Sequence, residues 1–181
     1  MDEKRLVKVS KYLSKHLRHQ PERLGLELSP GGWVAVTDLL AACARHQFAV
    51  SRGELEEVVR CNDKQRFSFD DTGTRIRANQ GHSVEVDLQL EPAEPPAVLY
   101  HGTGHGNVAP IQASGLCKMA RHHVHLSADV PTAVKVGSRH GRPVVFAVDA
   151  AAMRQDGFVF YRSANGVWLV SEVPPKYLNL I

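Results

Sequence analysis

Leu6, Val9, Leu13 and Leu17 recur at three- and four-residue intervals, so the spacing predicts an amphipathic first helix, which Pro21 ends. Pro30-Gly31-Gly32 reads as a turn and residues 33–36 as a short strand, after which Thr37 or Asp38 is placed to cap a helix running through His46. Ser51 and Glu54 have the spacing of a capping box, opening a third helix with Leu55, Val58 and Val59 turned inward. Phe67 and Phe69 alternate into a turn at Asp71-Thr72-Gly73, and Ile76 returns as the partner strand. Three helices followed by a β-hairpin form the winged-helix pattern, a scaffold frequent among nucleic-acid-binding proteins, although fold alone does not fix function.

The second half alternates short strands and helices. Strands are predicted at 98–101, 124–127, 143–148, 158–161 and 167–170, with Asn165-Gly166 as a hairpin turn. Helices are predicted over 107–114, closed by Gly115, after Asp129 and Pro131, and over 150–155 behind a capping Asp149. Between the halves, residues 83–97 hold three prolines and four acids. Val84, Val86, Leu88 and Leu90 alternate there, so this strap is expected to begin as a strand and end as an extended linker. The domain boundary is placed near residue 96, giving an α+β protein with lobes at 1–96 and 97–181.

Composition narrows the class. With 181 residues and 43% hydrophobic content the chain is an ordinary globular protein of one domain or two small ones. No apolar run approaches the ~18 residues that would span a bilayer, and the opening MDEKRLVKVSKYL lacks a signal-peptide core. Cys43, Cys61 and Cys117 are odd in number and widely spaced, which argues for a reducing compartment and against a zinc ribbon. A cytoplasmic protein is the expectation. The net charge of +3 falls on residues 1–80, while residues 81–181 sum to zero. Lys4, Lys8, Lys11 and Lys15 make the first helix basic, which suits a polyanionic partner as well as a merely solvated face.

Arg18 and His19 close the first helix, setting a permanent cation beside a group that titrates near neutrality; they equally suit the negative end of the helix dipole. Arg66 enters the hairpin with its side chain expected opposite Phe67. In Arg121-His122-His123-Val124-His125-Leu126-Ser127, a period of two sends Arg121, His123, His125 and Ser127 to one face. His123 and His125 could ligate a metal, but no third ligand has suitable spacing, so no metal is expected. An Arg-His-Ser face suits phosphate and ribose instead. Tyr100-His101-Gly102-Thr103 offers an imidazole, a glycine permitting close backbone approach, and a hydroxyl: a ribose or amide clamp. Neither a GxGxxG dinucleotide turn nor a P-loop is present.

Six motifs in order, LRHQP at 17–21, DKQRFSF at 63–69, IRANQGHS at 76–83, YHGT at 100–103, RHHVHLS at 121–127 and NGVWL at 165–169, closely resemble the NAD-dependent RNA (tRNA) 2′-phosphotransferase family. The resemblance covers essentially the whole chain. It implies a winged-helix-like N-terminal lobe, an ADP-ribosyltransferase-like C-terminal lobe and an active site between them. It also implies removal of an internal 2′-phosphate from RNA, as in tRNA splicing and processing. In that chemistry the phosphate attacks NAD⁺ and expels nicotinamide; the NAD ribose 2″-hydroxyl then attacks phosphorus, leaving 2′-hydroxyl RNA and ADP-ribose 1″,2″-cyclic phosphate. The family's Arg-His-Arg-Arg tetrad falls on Arg18, His19, Arg66 and Arg121. The implied NAD⁺ contacts are His101, Gly102, Thr103, His125 and Ser127, with Arg139 toward the diphosphate, and a monomer is expected. Many ADP-ribosyltransferases carry a catalytic glutamate after the last hairpin turn; residues 166–170 here hold no carboxylate, and an anionic phosphate nucleophile needs no base to activate it.

Two rival readings bear on the same residues. One is an ADP-ribosyltransferase that stops after its first step, and the other is a nucleic-acid-binding module with an inactive second lobe. The intact tetrad and His101 count against both.

Overall fold

Asp2 starts the first helix: its carboxylate accepts from the Arg5 N–H at 2.7 Å, and α1 runs Glu3–Arg18. A 3-10 turn, Pro21–Leu24, follows. Then come β1 (Trp33–Ala35), α2 (Val36–Arg45), α3 (Arg52–Cys61), β2 (Phe67–Phe69) and β3 (Arg75–Ala78). The computed structural model describes residues 1–61 and 64–181. Asp63, the first residue of the DKQRFSF motif, lies outside the described residues. The chain divides into two units, Met1–Leu90 and Glu91–Ile181.

In the first unit β3 pairs antiparallel with β1 on one side and β2 on the other. Val9, Leu13 and Leu17 from α1, Leu39 and Cys43 from α2, Leu55 and Val58 from α3, and Phe67 and Ile76 from the sheet form one buried core. Each such side chain contributes about 1.5–3 kcal/mol by leaving water. The capping box forms as spaced, with Ser51 N–H to Glu54 Oε2 at 2.9 Å and Glu54 N–H to Ser51 Oγ at 3.2 Å. Neither Thr37 nor Asp38 caps α2. The helix starts earlier, at Val36 with Ala35 in the cap position, and the Val36 N–H is satisfied from outside by the Thr74 carbonyl at 2.9 Å.

The strap differs from expectation in two ways. Its alternation appears as a slight alternation of burial, with Leu88 buried, but no strand forms because residues 84–90 have no ladder partner among the described residues. Point contacts hold it instead: Ser83 N–H to Arg18 O at 2.9 Å and Gly31 N–H to Asp87 O at 2.7 Å. Residues 91–96, placed with the first lobe by the sequence, fall in the second unit. There the Ala93 N–H donates to Phe160 O at 2.8 Å and Pro92 bridges Tyr161.

The second unit contains β4 (Val98–Gly104), α4 (Val108–Ser114), β5 (Leu116–Cys117), β6 (Val124–Leu126), α5 (Val130–Gly137) and β7 (Pro143–Asp149). After these come α6 (Ala150–Gln155), β8 (Phe160–Arg162), β9 (Trp168–Val170), β10 (Glu172–Val173) and β11 (Leu178–Leu180). The strands make antiparallel sheets in the orders β11-β7-β4 and β6-β9-β8, plus the pair β10-β5. Leu99, Phe146 and Val148 of one three-stranded sheet share a core with Leu126, Phe160 and Val170 of the other. Hydrogen bonds join those two sheets at Tyr100 and Ser127, each donating its N–H to the other's carbonyl, at 2.9 and 2.7 Å. Asp129 and Asp149 cap α5 and α6 through their carboxylates. The protein is thus a mixed α+β fold. Among the described residues no helix is long and apolar enough to cross a membrane.

Candidate active site

In the first unit, three of the four tetrad positions lie at the ends of secondary structure. Arg18 is the last residue of α1 and His19 its C-cap, where the His19 N–H still reaches Lys15 O at 3.1 Å. The following segment is prevented from continuing the helix by Pro21, and the chain leaves into the 3-10 turn. Arg66 precedes β2, just after Gln65 at φ +40°. Asn79 fixes this entry twice, by N–H to Arg66 O at 2.8 Å and Nδ2 to Gln65 O at 2.6 Å. Phe67 is buried and Arg66 half-buried, as strand alternation requires.

Folding brings Arg18 and Arg66 to one groove of about 460 Å³, which Lys11, Ser14 and Lys64 also line. Lys8 does not share it; its ammonium lies 5.7 Å from the Phe48 ring centroid. The basic run of α1 is therefore split between two faces. His19 is exposed, and its Nδ1 lies 2.8 Å from Ser83 Oγ. Behind it, burial pushes the His16 pKa below its ordinary value, and His16 Nδ1 pairs with Gln20 O at 3.2 Å.

In the second unit, His101 of β4 sits opposite the end of β6, with Nδ1 3.2 Å from His125 O. A carbonyl only accepts, so Nδ1 carries the proton and Nε2 is left as an acceptor. Burial, and secondarily His140, lowers the His101 pKa, which keeps the ring uncharged at neutral pH. Arg121 Nη1 approaches His125 Nδ1 at 3.4 Å. A guanidinium only donates, so in this contact His125 Nδ1 is the acceptor. Ser127 is held by its bridge to Tyr100.

The expected alternation over 121–127 is shorter than the sequence pattern. Only Val124–Leu126 pairs with β9, and Arg121 belongs to the preceding turn, its N–H bonded to Lys118 O at 3.0 Å. Arg121 and His125 still meet. His123 does not join them and packs instead against the Tyr161 ring, centroids 5.5 Å apart. Among the described residues, no three or more His, Cys, Asp or Glu side chains gather as a metal-holding group.

Gly102 does permit a close approach, and the approaching group is α5. A Cβ at 102 would stand 1.6 Å from Ala133 O, and one at Gly104 2.1 Å from His140 O. The glycines let the helix and the turn carrying Arg139 lie directly on β4. Thr103 is buried, its Oγ1 accepting from Asn107 Nδ2 at 3.0 Å. Arg139 itself is exposed.

Residues 4–172 match the family described as RNA 2′-phosphotransferase, Tpt1 / KptA family, a span that includes all ten candidate residues. The chain belongs to this family. It is 66% identical over 181 residues to a probable RNA 2′-phosphotransferase of Nostoc punctiforme, with all of both chains covered. It is 67% identical to one of Trichormus variabilis, again over the full length of both. One of Streptomyces griseus shares 62% identity over 187 aligned positions, covering 99% of each chain. For this RNA 2′-phosphotransferase family member, sequence reasoning missed Ser83, Asn79 and Asn107 as supports of candidate residues. Ser83 and Asn79 stand inside the IRANQGHS motif, the one signal that could have pointed to them.

Proposed function

We propose that the chain is an NAD⁺-dependent RNA 2′-phosphotransferase that removes an internal 2′-phosphate from RNA. The observation that carries this is the family match over residues 4–172, which runs through both units. In the first step a 2′-phosphate oxygen bonds to the anomeric carbon of the NAD⁺ ribose as the bond to nicotinamide breaks. In the second, the ribose 2″-hydroxyl bonds to phosphorus and loses its proton, while the P–O2′ bond to RNA breaks and O2′ gains one. The products are 2′-hydroxyl RNA, ADP-ribose 1″,2″-cyclic phosphate and nicotinamide.

Arg18, Arg66 and Arg121 serve as fixed guanidiniums for the charge that grows on phosphorus in the second step. His19 is the tetrad member able to exchange a proton near neutral pH. The second unit suits the co-substrate NAD⁺. An uncharged His101 with an acceptor Nε2 can take a ribose hydroxyl without repelling the cationic nicotinamide ring, and Arg139 is available to the diphosphate. The first unit is read as winged-helix-like on its three helices and hairpin, and the second as ADP-ribosyltransferase-like on its two three-stranded sheets and shared core.

The test is a 2′-phosphorylated oligonucleotide incubated with enzyme and NAD⁺, against its 2′-hydroxyl twin. Nicotinamide should be released only with the phosphorylated strand, in equal amount to 2′-hydroxyl RNA and the cyclic phosphate. ADP-ribose remaining on RNA as the final product would replace this reading with that of a transferase stopping after step one.

A further inference from the structure

We infer that Ser83 is the positioning residue for His19, gripping the imidazole by its Nδ1 edge so that Nε2 is the nitrogen presented to the substrate. This rests on the function proposed above for His19. The observation is the 2.8 Å approach of Ser83 Oγ to His19 Nδ1, across 64 residues of sequence. A second, independent contact sets the register. The Ser83 N–H donates to Arg18 O at 2.9 Å and the Val84 N–H reaches the same carbonyl at 3.4 Å. Those bonds satisfy one of the carbonyls that the end of α1 leaves without an intrahelical partner. The segment that ties off the helix therefore also delivers a hydroxyl to the side chain just beyond it.

His19 needs such a grip because of where it stands. It is exposed, at the C-cap, with φ −126° and ψ −32°, outside the helix that would otherwise restrict its rotamers. A contact at one edge of the ring decides which nitrogen can turn toward the phosphate. A 1 Å misplacement of a reacting group can cost about 10²-fold in rate.

A hydroxyl suits a residue that gains and loses a proton in each turnover. Toward a neutral ring with a bare Nδ1 it donates, and toward an imidazolium it accepts from Nδ1–H, so the contact survives both states. A carboxylate in the same place could only accept, and would favour the charged ring throughout. Ser83 thus fixes orientation without fixing charge.

Ser83→Ala and Ser83→Thr test this, the second keeping the hydroxyl. Single-turnover reactions with a 2′-phosphorylated oligonucleotide and NAD⁺ separate nicotinamide release from consumption of the ADP-ribosylated RNA. Imidazole ¹⁵N spectra, with the His19 resonances assigned through His19→Gln, report the ring directly. We expect Ser83→Ala to shift the His19 Nδ1 resonance and slow the second step about 10–100-fold. The KM for NAD⁺ should stay within about twofold and Ser83→Thr should restore most of the rate. An unchanged Nδ1 resonance in Ser83→Ala overturns the grip itself. A shifted resonance with an unchanged second step overturns its catalytic purpose. If His19→Gln also leaves the second step intact, the fault lies in the role proposed for His19, and the ¹⁵N result still decides whether Ser83 holds the ring.

Discussion

The two units differ in what their buried and groove-lining candidates present: the second also carries Arg121 and Arg139, but its most buried candidate imidazole, His101, is uncharged. In the first, Arg18 and Arg66 stand in one groove with Lys11 and Lys64, and its described lining holds four cations and no carboxylate. In the second, His101 is kept neutral by burial and its one bonded nitrogen faces a carbonyl. The supports differ as well. Helix end and hairpin entry are pinned in the first unit by residues 79–84, whereas in the second, backbone is laid on backbone through Gly102 and Gly104. The difference teaches that one chain can present permanent charge on long side chains in one place and a buried, uncharged imidazole on a fixed strand in another.

The comparison breaks most visibly in the rates. Arg18→Ala or Arg66→Ala should slow the second step by about 10²–10³-fold, so that ADP-ribosylated RNA accumulates in a quenched time course. His101→Ala should instead slow nicotinamide release, with no such accumulation. Both variants blocking the same step would erase the distinction.

Rigidity of the second unit is the next target. Gly102→Ala puts a Cβ 1.6 Å from a backbone oxygen that has no side-chain freedom, and overpacking of this kind costs about 3 kcal/mol or more. Trp33 and Trp168 place one indole in each unit, so urea unfolding of single-tryptophan variants reads the units separately. The Trp168 transition should move to lower urea well beyond any change at Trp33.

Acid should act in the other direction. The Glu54 carboxylate is held down to about 2 by the Arg5 guanidinium and by Ser51, so its folded pKa lies below its unfolded one. Its stabilisation is then complete above about 4.5 and is lost as pH falls toward about 2. Glu54 is partly open to solvent, so water screens the pair and the contribution is only about 1 kcal/mol, cap included. Glu54→Gln, which can still cap α3, should lower first-unit stability by less than that amount at pH 7 and flatten the Trp33-detected acid transition. An unaltered acid transition would remove Glu54 from the account.

Smaller effects separate neighbours on one helix. Lys11→Glu should weaken RNA binding and flatten its salt dependence by about 0.7 in log–log slope, the value of one single-strand phosphate contact. Lys8→Glu, outside the groove and over Phe48, should leave both unchanged. Equal effects from the two lysines would show that only net charge matters.

What could be read from sequence was what short range decides. The Ser51–Glu54 box and the Asp129 and Asp149 caps close hydrogen bonds within three residues, so their spacing is their structure. The α2 start was misjudged because a residue far along the chain, Thr74, supplies its cap. The strap was expected to pair because its alternation is real, yet a pattern of burial does not provide a neighbouring strand. At the site, the Gly102 pattern signalled close approach but not the identity of the approaching group. The meeting of Arg18 with Arg66, 48 positions apart, and of His19 with Ser83 depends on tertiary packing that no spacing encodes.

The Tyr100–Ser127 bridge has a consequence for motion. Two reciprocal backbone bonds, with the His101 Nδ1–H bond to the His125 carbonyl beside them, tie the sheet bearing His101 to the sheet bearing His125, and the core contact behind them is non-directional. Each of the two amide protons is shielded only while the sheets stay together. Their exchange with deuterium therefore times every parting of the two walls, while amides inside the β4–β7 ladder keep the slower clock of the whole unit. A ligand gripping both walls should slow exchange at Tyr100 and Ser127 and leave the ladder amides at their former rate.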